Sequence, residues 1–185
     1  MNWRLFYLIC SIPFLFACAV RTPVEQPKTY ANPELLKKTS IVISEFSVRP
    51  GLNYGSGAIS QCKYAAKDYL AVKGLFKSIG EAKDVDEPAL VVEAQLTDLR
   101  IVSTAARFWG GLFAGRSHMR IAVIIKNLDG SQIAQKDLFG APNALGPWND
   151  QPLPTRMGYL LGEYIIAEAN RYFSSTDHHK SNSAL

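Results

Sequence analysis

His118-Met119-Arg120-Ile121-Ala122-Val123-Ile124-Ile125-Lys126, running into Asn127-Leu128-Asp129-Gly130, is the stretch on which the fold turns. Successive side chains of a strand point to opposite faces, so Met119, Ile121, Val123 and Ile125 form one apolar row while His118, Arg120 and Lys126 point the other way. The Asp-Gly pair that follows is a turn signal. Beyond it Ile133, Gln135, Asp137 and Phe139 continue as a second strand, so residues 117–139 are expected to form a hairpin.

Working outward, Leu90, Val92, Ala94 and Leu96 share one face of a preceding strand. After Thr97-Asp98 the apolar residues Leu99 and Ile101 fall on the other face. A one-residue slip of this kind predicts a bulge or a sharp change of twist. Farther upstream, Ile41-Val42-Ile43-Ser44-Glu45-Phe46-Ser47-Val48 is a β-branched and aromatic run closed by Pro50-Gly51, expected as a central strand. Between these strands Ile59, Cys62, Ala66, Tyr69 and Val72 recur every three or four residues from Gly57 to Gly74, the spacing of an amphipathic helix. A short strand over residues 76–82 is expected to follow it. Near the end of the chain Met157, Leu160, Leu161, Tyr164, Ile165, Ala169 and Tyr172 draw the longest apolar stripe of all. The order strand, helix, several strands, helix predicts an α/β (α+β) fold with two helices packed on one mixed, largely antiparallel sheet of four to five strands.

The ends of the chain read differently. Residues 1–4 carry one positive charge, Arg4, and residues 5–17 are apolar except for Ser11 and Pro13. This is the layout of a secretory signal, too short for the roughly 20 residues a permanent span needs. Leu15-Phe16-Ala17-Cys18 resembles the lipobox cut before its cysteine by bacterial lipoprotein signal peptidase, although Phe16 stands where a smaller residue is usual. Residues 1–17 are therefore expected to be a signal peptide and Cys18 the lipidated residue, carrying covalent diacylglycerol and N-acyl lipid. Ala19 rather than Asp follows Cys18, which by resemblance to sorted lipoproteins implies the periplasmic face of the outer membrane. Residues 18–38, with Pro23, Pro27 and Pro33, read as a lipidated tether. Residues 39–173 are expected to be the single α/β domain, and the polar residues 174–185 a disordered tail.

Composition narrows the function. The 185 residues are 48% hydrophobic, enough for one core, and carry a net charge of +4 that loses one unit with Arg4. Lys and Arg are scattered among acids, so no nucleic-acid groove is expected. Of the three cysteines, Cys10 leaves with the signal and Cys18 takes lipid. Cys62 then stands alone, without a disulfide partner and at a helical apolar position, expected as a small buried hydrophobe.

Between two of the strands lies Ala106-Arg107-Phe108-Trp109-Gly110-Gly111-Leu112-Phe113-Ala114-Gly115-Arg116-Ser117. With the alternating strand and Asp-Gly turn after it, this segment resembles a family of bacterial envelope lipoproteins, the domain of unknown function 4410. The resemblance extends over residues 41–173, and Gly110, Gly111, Ala114, Gly115 and Arg116 carry most of it. The family is itself similar to the TolB amino-terminal domain and to the curli-secretion lipoprotein, which implies an α/β fold used in envelope assembly and no catalytic residue.

Read for chemistry, residues 110–117 superficially fit the phosphate-cradling loop. Arg116 replaces its lysine, and a strand rather than a helix follows, so the glycines are read as permitting a close-packed connection. Phe108, Trp109, Leu112 and Phe113, with Arg116, are the candidate interface: four large apolar side chains on a glycine-rich connection either fold onto the core or stand exposed as a contact site. His118 shows no acid nearby in sequence. His178 and His179 lie in the expected tail, Glu163 and Glu168 on the solvated flank of the last helix, and Trp148 reads as a loop anchor. No catalytic residue, metal site or further cofactor is expected. These features predict a non-catalytic domain, anchored to the membrane by lipid, that acts through an envelope partner or self-association as a homo-oligomer. The alternative is a binding module for a small or polymeric ligand such as a glycan, using residues 140–154.

Overall fold

The computed structural model describes residues 33–52, 55–81, 88–102, 109, 116–141 and 152–182, with the side chains of 45 and 176–182 outside that description. In chain order the elements are α1 (Pro33–Lys38), β1 (Ser40–Val48), α2 (Ser56–Lys73), β2 (Ser78–Gly80), β3 (Ala89–Arg100), β4 (His118–Asn127), β5 (Gln132–Gly140) and α3 (Leu153–Asn182). The five strands form one sheet in the order β2-β1-β3-β4-β5. This is the expected mixed α/β layer, with two adjustments. A third, short helix is present, and the pairings divide evenly: β1 runs parallel to β2 and β3, while β3–β4 and β4–β5 are antiparallel. The parallel half follows from α2, which returns the chain to the end where β1 began.

The hairpin forms where its alternation and turn signal place it. Gly130, at φ 84°, takes the left-handed conformation the turn requires, and its N–H donates to the Asn127 carbonyl at 3.0 Å. Ser131 N–H and hydroxyl bonds hold the exposed Asp129 carboxyl below its ordinary range. The apolar row Met119, Ile121, Val123 and Ile125 is fully buried beneath α2 and α3, together with Ile41, Ile43, Leu90, Val92 and Leu96. The slip after Leu96 is a bulge: Leu96 faces Ile121, Asp98 faces Arg120, and Thr97 is the extra residue.

Helix α2 buries Ile59, Cys62, Ala66 and Leu70. Val72, expected on this stripe, is 82% exposed. The reason is geometric, since at 3.6 residues per turn two successive steps of three rotate the row by about 60° each away from the seam, and Leu70 takes the place instead. Helix α3 buries Met157, Leu161, Tyr164, Ile165 and Ala169 as expected, and Gly158, Gly162 and Ile166 as well, because it packs on α2 as well as on the sheet.

At Gly158 the contact is so close that an added Cβ would lie 2.5 Å from the Cys62 carbonyl oxygen and 2.6 Å from Ala65 Cβ. One turn later, Gly162 faces Tyr69, whose hydroxyl donates to Glu163 at 3.2 Å. A small-residue step of four thus seats one helix against the other.

Helical residues occur within both expected flanks. The expected tether contains α1, whose Leu36 is fully buried, and whose last carbonyls are capped by the Thr39 N–H and hydroxyl. The expected tail is helical as far as Asn182. Ser174 and Ser175 hydroxyls bond back to the carbonyls of Asn170 and Tyr172, each at 2.7 Å. None of the described helices is long and apolar enough to cross a membrane.

Candidate interaction surface at one end of the sheet

β3 ends and β4 begins side by side, with Arg100 opposite His118. The residues alternating with the buried row, His118 and Arg120, point away from α2 and α3, and so does Phe139, the cross-strand partner of Arg120 on β5. The Thr97 bulge brings Asp98 onto this same face. There His118 Nε2 meets Asp98 Oδ2 at 2.8 Å, and the imidazole stacks on the Phe139 ring at 5.9 Å between centroids. The Arg120 guanidinium lies 5.5 Å over the same ring, a cation–π contact, and Thr97 Oγ1 donates to the Arg120 carbonyl at 3.2 Å. Ser117, almost fully buried, accepts the Val102 N–H at 2.9 Å and ties the two ends of the long connection together.

That connection carries Trp109, which is 85% exposed, and Arg116, also exposed. Phe108, Leu112, Phe113 and Cys18 lie outside the described residues, as does Trp148. Of the candidate interface the structure therefore displays Trp109 and Arg116 in solvent. It adds Phe139, 55% exposed, and Ile101, 64% exposed, at the same end of the sheet. The isolated reading of His118 is corrected. Its acid, Asp98, is 20 residues away and arrives by strand pairing, so it was invisible to local spacing. The phase slip at Thr97-Asp98 was the one signal that could have pointed to it.

The other candidates are structural. Burial pushes the Cys62 thiol up to about 12, so it is held as a neutral small side chain. Glu163 accepts the Tyr69 hydroxyl and Glu168 pairs with Arg171, so the two carboxylates serve different partners. Ser117, the last residue of the phosphate-loop-like segment, leads into a strand, and its hydroxyl is engaged by Val102. Among the described residues no three His, Cys, Asp or Glu side chains lie together as metal ligands. An open groove of about 500 Å³ runs between α2, the start of α3 and β2, lined by Gln61, Tyr64, Lys67, Asp68, Thr155 and Tyr159. Residues 142–151, most of the stretch expected for ligand binding, lie outside the described residues.

Residues 61–169 match the family model of a domain of unknown function, DUF4410. The chain belongs to this family. The DUF4410 match takes in the glycine-rich connection and both strands flanking it. No curated protein matches the chain. Among solved structures it is similar to the PelC dodecamer from Paraburkholderia phytofirmans, at 9% identity and a TM-score of 0.46 over 71% of this chain and 86% of that one. It is also similar to a Xanthomonas campestris protein of the DUF330 family, at 8% identity and a TM-score of 0.45 over 80% of this chain and 93% of that one. Both likenesses are loose.

Proposed function

We propose that this DUF4410 protein is a non-catalytic envelope domain, lipid-anchored through Cys18 at the periplasmic face of the outer membrane, that works by protein contact at the β3–β4 end of its sheet. It serves there as an accessory or oligomerising component of an envelope assembly or secretion system. The observation that carries the contact reading is Trp109, 85% exposed on a connection whose two ends are tied by Ser117 and Val102. Exposed tryptophan is among the residue types that most often anchor a partner at an interface. The anchor reading is supported by the sequence Leu15-Phe16-Ala17-Cys18 after its apolar run.

Trp109→Ala combined with Phe139→Ala tests the contact. Neither side chain is part of the core, so the double variant stays folded and loses only about 1 kcal/mol with the Phe139 ring contacts, while self-association or partner binding weakens by about 2 kcal/mol or more for a hot-spot aromatic. Sedimentation and thermal melts read the two effects separately, and unchanged assembly rejects the proposal. A second reading, a module for a small or polymeric ligand such as a glycan, is favoured by the groove between α2 and α3, where Tyr64 and Tyr159 offer aromatic faces beside polar Gln61 and Thr155. Calorimetric titration with oligosaccharides, compared with Tyr159→Ala, tests it.

A further inference from the structure

The exposed large apolar side chains among the described residues are unevenly placed. Ile101 and Phe139 lie at the end of the sheet where β3 passes into β4, and Trp109 belongs to the connection that leaves that end, whereas Tyr64, Val72 and Leu128 lie apart on α2 and at the far hairpin turn. The excess positive charge gathers at the same end. Arg100, Arg116 and Arg120 are exposed there, as is Arg49, whose N–H bonds to the Leu96 carbonyl beside the bulge. The neighbouring described carboxylates on this part of the sheet are Asp98, already engaged by His118, and Asp137, one step farther from the end on the Phe139 face. Arginine and tryptophan together are the residue types that dominate the energetics of protein interfaces.

We infer that this end of the sheet docks an acidic segment of a partner protein, its carboxylates meeting Arg116 and Arg120 and its apolar side chains meeting Trp109 and Phe139. The inference rests on the contact-surface reading above and names the chemistry of its partner. Planar guanidinium groups bind carboxylates by paired hydrogen bonds, and Arg120 is already oriented by its contact with the Phe139 ring.

Topology favours a protein over the anchoring membrane as the occupant. α1 packs on α3 through the buried Leu36 and leads directly into Ser40, at the end of the sheet bearing Ala89 and Asn127. The chain therefore enters the domain at the end opposite to Arg120 and Phe139. β4, at ten residues and about 3.3 Å each, separates those ends by roughly 30 Å. An anchor placed ahead of α1 is therefore joined to the domain at the end opposite the basic, aromatic one.

The test is binding of a fluorescent glutamate–tyrosine copolymer to the full-length protein in mild detergent, read by anisotropy. The wild type is expected to bind it, to ignore a lysine–tyrosine copolymer of equal length, and to weaken as salt rises from about 50 to about 500 mM. Arg116→Glu with Arg120→Glu is expected to lose at least about tenfold in affinity and to gain the lysine copolymer. The neutral pair Arg116→Gln with Arg120→Gln provides the same reading should charge reversal unfold the domain. Failure to bind the acidic copolymer, or equal binding by the Glu, Gln and wild-type forms, overturns the inference. So does binding to phosphatidylglycerol vesicles that is lost in these variants while the copolymer is ignored, which would make the surface a lipid site. If Trp109→Ala with Phe139→Ala abolishes assembly while the acidic copolymer is ignored, the contact surface stands and the acidic partner falls. If assembly is unaffected too, both fall.

Discussion

Replacing Gly158 by alanine is the sharpest perturbation of the scaffold. The added Cβ would sit 2.5 Å from Cys62 O, 2.6 Å from Ala65 Cβ and 2.9 Å from Ala66 N, where ordinary contact begins at 3.4 Å. Two of the three obstacles are backbone, so no side chain can swing aside, and α2 and α3 must part by up to about 0.9 Å or shift along one another. Overpacking of this kind costs about 3 kcal/mol at the upper end of the usual range. Alanine is better than glycine in a helix interior by about 1 kcal/mol, which offsets part of it. The expected net loss is about 2 kcal/mol, a fall in Tm of roughly 4 to 8 °C for a domain of this size. Urea melts of soluble, unlipidated protein measure it, with Gly57→Ala as the control, because a Cβ at Gly57 meets nothing within 4 Å. That control should be neutral or stabilising. Gly158→Ala as stable as the wild type would refute the close helix seam.

Leu161 is fully buried, so Leu161→Ala is expected to lose roughly 2 to 5 kcal/mol in the same melts. Cys62, raised from 9.0 to about 12, keeps its proton in the folded state while the unfolded chain releases it. Its contribution is therefore fully present below pH 9 and is lost as pH rises toward 12, at about 1.4 kcal/mol per pH unit. The slope of stability against pH in that window should be shallower in Cys62→Ala. Cys18→Ser should release the protein from the membrane fraction or leave the precursor uncut, since each buried acyl CH₂ contributes about 0.8 kcal/mol to anchoring. Processing and retention identical to the wild type would reject lipidation there.

What the sequence made legible was whatever local periodicity encodes. The buried row of β4, the Asp-Gly turn and the slip at Thr97-Asp98 are all properties of neighbours in the chain, and each is present in the structure. Partners distant in sequence were not legible. The Asp98–His118 pair, the stacking of His118 on Phe139, and the seating of Gly158 against Cys62 depend on which elements lie side by side, and residue spacing within one element says nothing of that. Gly158 and Gly162 did carry a signal, two small residues four apart within the strongest apolar stripe. Propensity reads such glycines as weak points in a helix, whereas here they are its contact face. The evenly split pairing of the sheet was hidden for a related reason. β2 has only three residues, too few for its own pattern, and its parallel pairing with β1 follows from the return path of α2.

The proposed interaction surface gains its rigidity from the strand pairing and the core beneath it. β3 and β4 pair along nearly their whole lengths and are sealed on one face by α2 and α3, so the pair Arg100–His118 at their ends has little freedom to move. Ser117 and Val102 extend that pairing by one more bond into the connection. The bulge then makes a second use of the same strand: up to Leu96 its residues serve the core, and one extra residue later Asp98 serves the opposite face. A regular strand would have placed Thr97 opposite Arg120 and turned Asp98 toward the buried side, where an unpaired carboxylate is costly. By inserting Thr97 the chain keeps Leu99 buried against Met119 and frees Asp98 to orient His118. The ring of His118 in turn covers one part of Phe139 while Arg120 covers another. The exposed aromatic at the edge of the sheet is thereby fixed in one orientation before any partner arrives, which lowers the entropy lost on binding.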